Sequence, residues 1–219
     1  MSFTKQLIKE IAATRAIFGC EPKKLNSIDQ KECNELVTLI NQCKLQNRGK
    51  YYSNDSDFRI FDFKDDIKKF TNIWKLICEN LPRGWFIGPV MAAHLSAKPE
   101  SLGSGEGWHR DSWFGQKKII FYLSDVTNNN GPFQYIPNTS SFNHKLISVT
   151  RGQTDRIEEA AVDERKVITL VGQAGTSYLF DGTMLHRGKP PIRGERYAVT
   201  AYLYSGSYSE EKIKKYFNN

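Results

Sequence analysis

The rhythm of hydrophobic positions changes about a third of the way along the chain. Before that point they recur at helical spacing. "TKQLIKEIAATRAIF" carries Leu7, Ile8, Ile11, Ala12 and Ile17 toward one face. "SIDQKECNELVTLINQC" sets Leu36, Val37 and Ile40 on one stripe behind Ser27, a residue with the chemistry of an N-cap. "DDIKKFTNIWKLICENL" repeats the pattern through Ile67, Phe70, Ile73, Trp74 and Ile77, and its acidic start suits the positive end of the helix dipole. The spacing therefore predicts a mostly helical segment over 1–83.

From Gly84 onward the apolar runs are short, β-branched and aromatic: "WFIGPVMAAHLSA", "KKIIFYLSDV", "FQYIP", "KVITLV", "TSYLFDG" and "RYAVTAYLYS". Turn signals such as "NNNGP", "IPNTS", "VGQAG" and "PPIRGE" separate them. Such punctuation predicts an antiparallel sandwich or jelly roll over 84–205, with the early helices packed along one sheet. "IIFYL" reads as a strand covered on both faces. "SYSEEKIKKYF" predicts a closing helix within 206–219. The stretch 139–165 is long for a connection and is expected to act as a lid over a pocket.

Bulk properties narrow the class. A chain of 219 residues, 39% hydrophobic and 25% charged, fits one soluble domain with a sizeable core. No apolar run is long enough to span a bilayer and the N-terminus lacks a secretion signal, so the expected compartment is cytoplasmic. Cys20, Cys33, Cys43 and Cys78 form no C-x-x-C pair, which argues against a zinc knuckle or a disulfide framework. The net charge of +7 is spread along the chain, which disfavours nucleic acid as a partner. Arg151, Arg156, Arg165 and Lys166, in or near the expected lid, are consistent with a small anionic substrate. The sequence is silent on oligomeric state.

The chemistry centres on "GWHRDSWFG". In extended backbone, residues i and i+2 project the same way, so His109 and Asp111 would point together and Arg110 would not. A nitrogen and a carboxylate side by side suit a divalent metal of intermediate hardness. The third ligand must come from His94, His144 or His186. His186 stands at a strand end after "TSYLFDGTML", whereas His94 lies inside an apolar strand and His144 in the expected lid. Two histidines and one carboxylate leave three coordination positions open, as non-haem Fe(II) oxygenases require. Such an iron draws on 2-oxoglutarate and O2, and the keto acid's far carboxylate needs a buried bidentate cation. Arg196, ten residues past His186 at the start of a strand, is the first choice, and Arg193 in the turn is the reserve.

Three segments, "GWHRDS", "KKIIFYLSDVTNNNGPFQYIPNTS" and "GTSYLFDGTMLHRGKPPIRGERYAVTAYLY", resemble the phytanoyl-CoA dioxygenase family of Fe(II)/2-oxoglutarate oxygenases over about residues 90–204. The resemblance implies a mainly β fold with flanking helices, a double-stranded β-helix (jelly roll, cupin-like). It implies iron on His109, Asp111 and His186, and 2-oxoglutarate on Arg196. The family often has P-G-S-H where this chain has Pro137-Asn138-Thr139-Ser140, so a pocket role for that histidine is missing. Halogenating relatives carry a small residue at the place of Asp111, so its retention implies hydroxylation, or another oxidation that begins with hydrogen abstraction, with release of succinate and CO2.

Further candidates follow from strand faces. Lys118 shares a face with Ile120 and Tyr122, and Lys118 and Tyr122 are candidates for contact with 2-oxoglutarate. His94 and Ser96 share another face and are candidates for the same role. Trp108 and Trp113 flank the ligand pair as candidate substrate-pocket walls, while Asp181 reads as a turn residue. Two other functions compete: a cupin-like metal-dependent isomerase or epimerase, and a non-catalytic binding module.

Overall fold

The computed structural model describes residues 21–53, 55–98, 105, 107–152, 155–206, 208, 209 and 213. The helix expected over 4–18, Cys20 and nearly all of the expected C-terminal helix lie outside them.

Two antiparallel sheets form the body. The larger joins β1 (Lys23–Lys24), β8 (Ser177–Asp181), β5 (Gln116–Tyr122), β10 (Glu195–Ser205), β4 (Trp85–Ser96), β3 (Asp57–Ile60) and β2 (Lys50–Tyr52) in that order. The smaller joins β7 (Ile168–Leu170), β6 (Phe133–Tyr135) and β9 (His186–Gly188). This is the expected mainly β jelly roll. β5 and β10 lie inside the large sheet and are buried almost throughout. Both faces are covered, which is why "IIFYL" shows no polar alternation.

Helices cover one face of the large sheet. α1 (Gln30–Leu45) turns Cys33, Leu36, Ile40 and Cys43 inward. They meet Ile73 and Ile77 of α3 (Thr71–Glu79), Val90 and Ala92 of β4, Ile119 and Phe121 of β5, and Val199 and Ala201 of β10. Odd positions of β10 thus serve this core, and even positions face the interior between the sheets. Burial pushes the Cys33 thiol up to about 11, so this cysteine packs as an apolar group.

Three expectations for this region are corrected. The N-cap of α1 is Asp29, whose carboxylate accepts the Glu32 amide at 2.7 Å, and not Ser27. The chain is still extended at Ile28, whose amide bonds to Gly175 O. The helix expected through "DDIKKFTNIWKLICENL" is two, α2 (Lys64–Ile67) and α3, parted by an extended Phe70. Their apolar spacing is the same for one helix or two, so the pattern could not reveal the break. The segment 1–83 also holds β1, β2 and β3, and the β2–β3 hairpin widens the large sheet. The polar run "SNDS" between "KYY" and "DFRI" in the sequence hides the alternation on either side.

The stretch 139–165 contains α4 (Phe142–Thr150), capped by Ser141, followed by short 3-10 turns at Glu159–Ala161 and Glu164–Lys166. Among the described residues, no helix is long and apolar enough to cross a membrane.

Candidate metal centre

The triad is assembled by backbone pairing. The His109 amide bonds to His186 O and the His186 amide to His109 O, both at 2.9 Å. This reciprocal exchange adds the His109 segment beside β9 and sets two residues distant in sequence directly opposite each other. Their rings lie 4.5 Å apart between centroids. The Asp111 amide bonds to Gly182 O, which turns its carboxylate toward both rings. His109 Nε2 is 3.6 Å from Asp111 Oδ1, and His186 Nε2 is 3.2 Å from Asp111 Oδ2. One ligand atom from each of the three residues lies within 4.8 Å of the other two. A Cβ on Gly182 would meet Gln116 Oε1 at 2.3 Å and Asp111 Oδ2 at 3.3 Å, so any side chain here would have to displace the Gln116 amide.

Outer contacts fix the tautomers. His109 Nδ1–H donates to Gly107 O at 2.8 Å, and His186 Nδ1–H donates to Met184 O at 2.9 Å. Each ring therefore keeps its Nε2 lone pair for the centre. Phe133 stacks on the His186 ring at 5.4 Å and Phe180 meets it edge-on at 5.5 Å. Burial in this apolar cage, only partly countered by Asp111, pulls His186 down to about 4. The Asp111 carboxylate is disfavoured by burial, yet Lys118 and the two histidines hold it well below its usual range. Two imidazoles and one carboxylate facing a common point are a fitting donor set for Fe(II) or a similar divalent ion.

A cavity of about 660 Å³ opens over the triad and is lined by even positions of β10, among them Arg196, Thr200, Tyr202 and Tyr204. Lys118 lies inside it. Its Nζ sits 2.5 Å from Asp111 Oδ2 and 4.7 Å from the centre of the Tyr202 ring. Arg196 lies inside it too, only 3% exposed, donating from Nη1 to Gly131 O. Its Nε has no hydrogen-bond partner among the described residues, and burial pulls the guanidinium below its usual range. A buried arginine with donor capacity to spare fits a carboxylate ligand. Gly131 has φ +85°, and a Cβ there would meet Leu95 Cδ2 at 2.5 Å.

Other expected site residues fall elsewhere. His94 and Ser96 lie on the opposite face of β4 from the cavity residues Met91 and Ala93, so neither reaches the centre. His94 stacks on Tyr197 at 4.2 Å and bonds to Glu195 Oε2 at 2.8 Å, while Ser96 bonds to Ser56 O. An apolar run covered on both faces gives no clue to which side a residue takes. Tyr122 has the expected face, but it lies beneath the cavity floor. Its hydroxyl donates to Leu170 O and accepts from the Phe133 amide. Trp108 and Trp113 do not line the cavity. Trp108 is buried under the Arg187 guanidinium, and Trp113 faces that of Arg110. Arg193 is exposed in its turn, and Asp181 accepts the Thr183 amide in the separate turn that follows β8. His144 lies on α4 and bonds to Arg110.

Arg110 takes the expected course away from the pair of ligands. Its guanidinium donates to Thr139 O, Thr183 O and His144 Nδ1, which ties 139–150 to the metal-ligand segment. Cavity residues that sequence reasoning missed are Lys50, Tyr52, Arg59, Gln116, Tyr202 and Tyr204. The alternation Arg196, Ala198, Thr200, Tyr202, Tyr204 could have found the last two. The hairpin residues had no comparable signal.

The sequence profile described as Phytanoyl-CoA dioxygenase (PhyH) matches residues 27–192. No curated protein matches the chain in sequence. Among solved structures, the non-heme alpha ketoglutarate dependent epimerase SnoN from nogalamycin biosynthesis aligns with TM-score 0.64 at 15% identity, over 92% of this chain and 84% of its own. HygX from Streptomyces hygroscopicus, with nickel and 2-oxoglutarate bound, aligns with TM-score 0.61 at 10% identity, over 92% and 88%. AviO1 from Streptomyces viridochromogenes Tue57 aligns with TM-score 0.64 at 13% identity, over 91% and 96%. At these identities the likeness is one of fold.

Proposed function

The chain belongs to the phytanoyl-CoA dioxygenase family, and on that premise we propose that it is an Fe(II)- and 2-oxoglutarate-dependent dioxygenase that hydroxylates a small molecule. The observation that carries this reading is the convergence of His109, Asp111 and His186 within 4.8 Å in a cavity that also holds a buried arginine.

When bound, iron and 2-oxoglutarate together supply oxidation by O2, coupled to decarboxylation of the keto acid to succinate and CO2. The residues of this chain do the rest. His109 and His186 turn Nε2 toward the centre because Gly107 O and Met184 O hold their Nδ1 protons. Asp111 supplies the negative charge and remains ionised at neutral pH. Arg196 takes the far carboxylate of 2-oxoglutarate in a site with little competing water. Lys118 sits between Asp111 and the Tyr202 ring, where its ammonium can shift from the ligand carboxylate to a carboxylate of the cosubstrate. Phe133 and Phe180 exclude water from the His186 side, and Tyr202 and Tyr204 shape the space left for substrate.

One experiment tests the assignment: incubation with Fe(II), ascorbate and 2-oxoglutarate, with succinate measured alone and across a panel of small molecules. Succinate above the enzyme-free control is expected, together with saturable binding of 2-oxoglutarate. Absence of both would sink the proposal. A second reading, epimerisation at the same centre, is favoured by the likeness to SnoN, itself described as an alpha ketoglutarate dependent epimerase. Mass spectrometry separates the two. A hydroxylated product is heavier by one oxygen atom, and an epimer is not heavier at all.

A further inference from the structure

The cavity extends from the metal centre to the open edge of the seven-stranded sheet, and its lining carries far more positive than negative charge. Lys50, Arg59, Arg110, Lys118, Arg156 and Arg196 face it, against Asp111 and Asp155. Arg110 is engaged by three neutral acceptors, Lys118 by Asp111, and Arg196 is assigned above to 2-oxoglutarate. Arg156 donates to Gly105 O, and Lys50 and Arg59 have no place in that scheme.

The β2–β3 register sets Lys50 directly opposite Arg59. Like charges across a strand pair repel, so this register carries an electrostatic cost. Asp57 offsets part of it: its Oδ2 accepts Arg59 Nε at 2.9 Å and Nη2 as well. Lys50 makes no ion pair among the described residues. Tyr52 lies 4.8 Å beneath the Arg59 guanidinium and packs edge-on to Phe61 at 6.1 Å. Two opposed cations on an aromatic bed, within the same cavity as the metal ligands, make a receptor for an anion. The floor leading there is low. Arg59 is registered against Ala93, and Ala93 against Ala198, so no large side chain intervenes along that row. β3 lies three strands from β5, which bears Lys118. The row through Arg59, Ala93 and Ala198 meets β5 at Tyr122, four residues along from Lys118, so at ~4.8 Å per strand and ~3.3 Å per residue Arg59 and Lys118 are about 20 Å apart.

We infer that Lys50 and Arg59 form an anion subsite for the substrate, which is an elongated molecule bearing a carboxylate or phosphate remote from the carbon that reacts. The assignment of the reacting end rests on the function proposed above, whereas anion binding by the hairpin does not.

The test is calorimetric titration of the full chain, loaded with Ni(II) and saturated with 2-oxoglutarate. The probes are phenyl phosphate, phenylacetate and the neutral benzyl alcohol. Both anions are expected to bind saturably and benzyl alcohol about tenfold more weakly, the measure of a charge-assisted contact. The better-bound anion identifies the head group. Lys50→Met, at an exposed position, is expected to weaken the anions about fivefold without affecting the fold. Because Arg59→Gln alone would strand the buried Asp57, it is combined with Asp57→Asn, and this pair is expected to weaken them about tenfold. Ni(II) and 2-oxoglutarate affinities should be unchanged in both variants. Anion binding equal to wild type in both variants, or benzyl alcohol binding as well as the anions, overturns the subsite. So does loss of 2-oxoglutarate binding in the Arg59 variant, which would assign that arginine to the cosubstrate. Failure of the wild type to take up Ni(II) or 2-oxoglutarate counts against the proposed function instead, and the same titrations on the metal-free chain still decide the subsite.

Discussion

Replacing Arg110 by methionine should unfasten the segment 139–150 from the metal-ligand strand. Arg110 is 2% exposed and its three acceptors, Thr139 O, Thr183 O and His144 Nδ1, are all neutral. Hydrogen bonds from a charged donor are worth about 1.5–3 kcal/mol each, so the gross gain is roughly 5–9 kcal/mol. Against that, burial pulls the guanidinium down to about 10 from 12.5, with the field of Asp181 opposing. At ~1.4 kcal/mol per pH unit, charging it in place costs about 3 kcal/mol. Methionine recovers packing but leaves the Thr139 and Thr183 carbonyls without the donor, while His144 Nδ1 keeps the Ser148 hydroxyl. The expected loss is about 2–6 kcal/mol, the gross gain less the cost of charging the group in place. For a chain of this size that lowers Tm by about 10 °C. Urea unfolding with an unchanged m-value reads the stability, and hydrogen exchange of the α4 amides reads the detachment. Arg110→Lys, which keeps the charge on a single donor head, should fall between. A methionine variant within about 0.5 kcal/mol of wild type would refute the reasoning, because it would mean that solvent already satisfies those carbonyls.

Other consequences are independent of that one. Arg196→Ala should weaken 2-oxoglutarate binding by about 30- to 100-fold, the loss of a bidentate charged contact, and leave Ni(II) affinity within about twofold; calorimetry of the two titrations checks both halves. Lys118→Met removes the cation that competes with a metal for Asp111, so Ni(II) affinity should rise by about tenfold, readable by competition with a chromogenic chelator. Burial holds His94, His144 and His186 below the ordinary 6.5, the last at about 4. Because the unfolded chain takes up these protons first, the metal-free protein should lose stability as pH falls below about 6.5 and keep losing it toward pH 4. Urea midpoints across that range test the sign, and His144→Gln should flatten the slope by up to one proton.

Much of this protein was written in the order of its side chains. Helical spacing marks α1 and α3, the β-branched runs mark β4, β5, β8 and β10, and His109, Asp111, His186 and Arg196 stand out by residue type and position. These features are local: a period of 3.6 or 2, or a pair of donors two residues apart, can be read without knowing the partner. What only the tertiary structure decided is which face each buried residue takes and who meets whom. The reciprocal backbone bonds of His109 and His186 select the third ligand, where the chain alone offered His94 and His144 as well. Sheet register turns His94 and Ser96 away from the cavity, sinks Tyr122 beneath its floor, and brings in Lys50, Tyr52 and Arg59 from a hairpin hidden behind polar turn residues. Trp108 and Trp113 flank the ligands in sequence yet pack against the guanidinium groups of Arg187 and Arg110. Pairing between distant strands is a property of the closed sheet, and no window of sequence contains it.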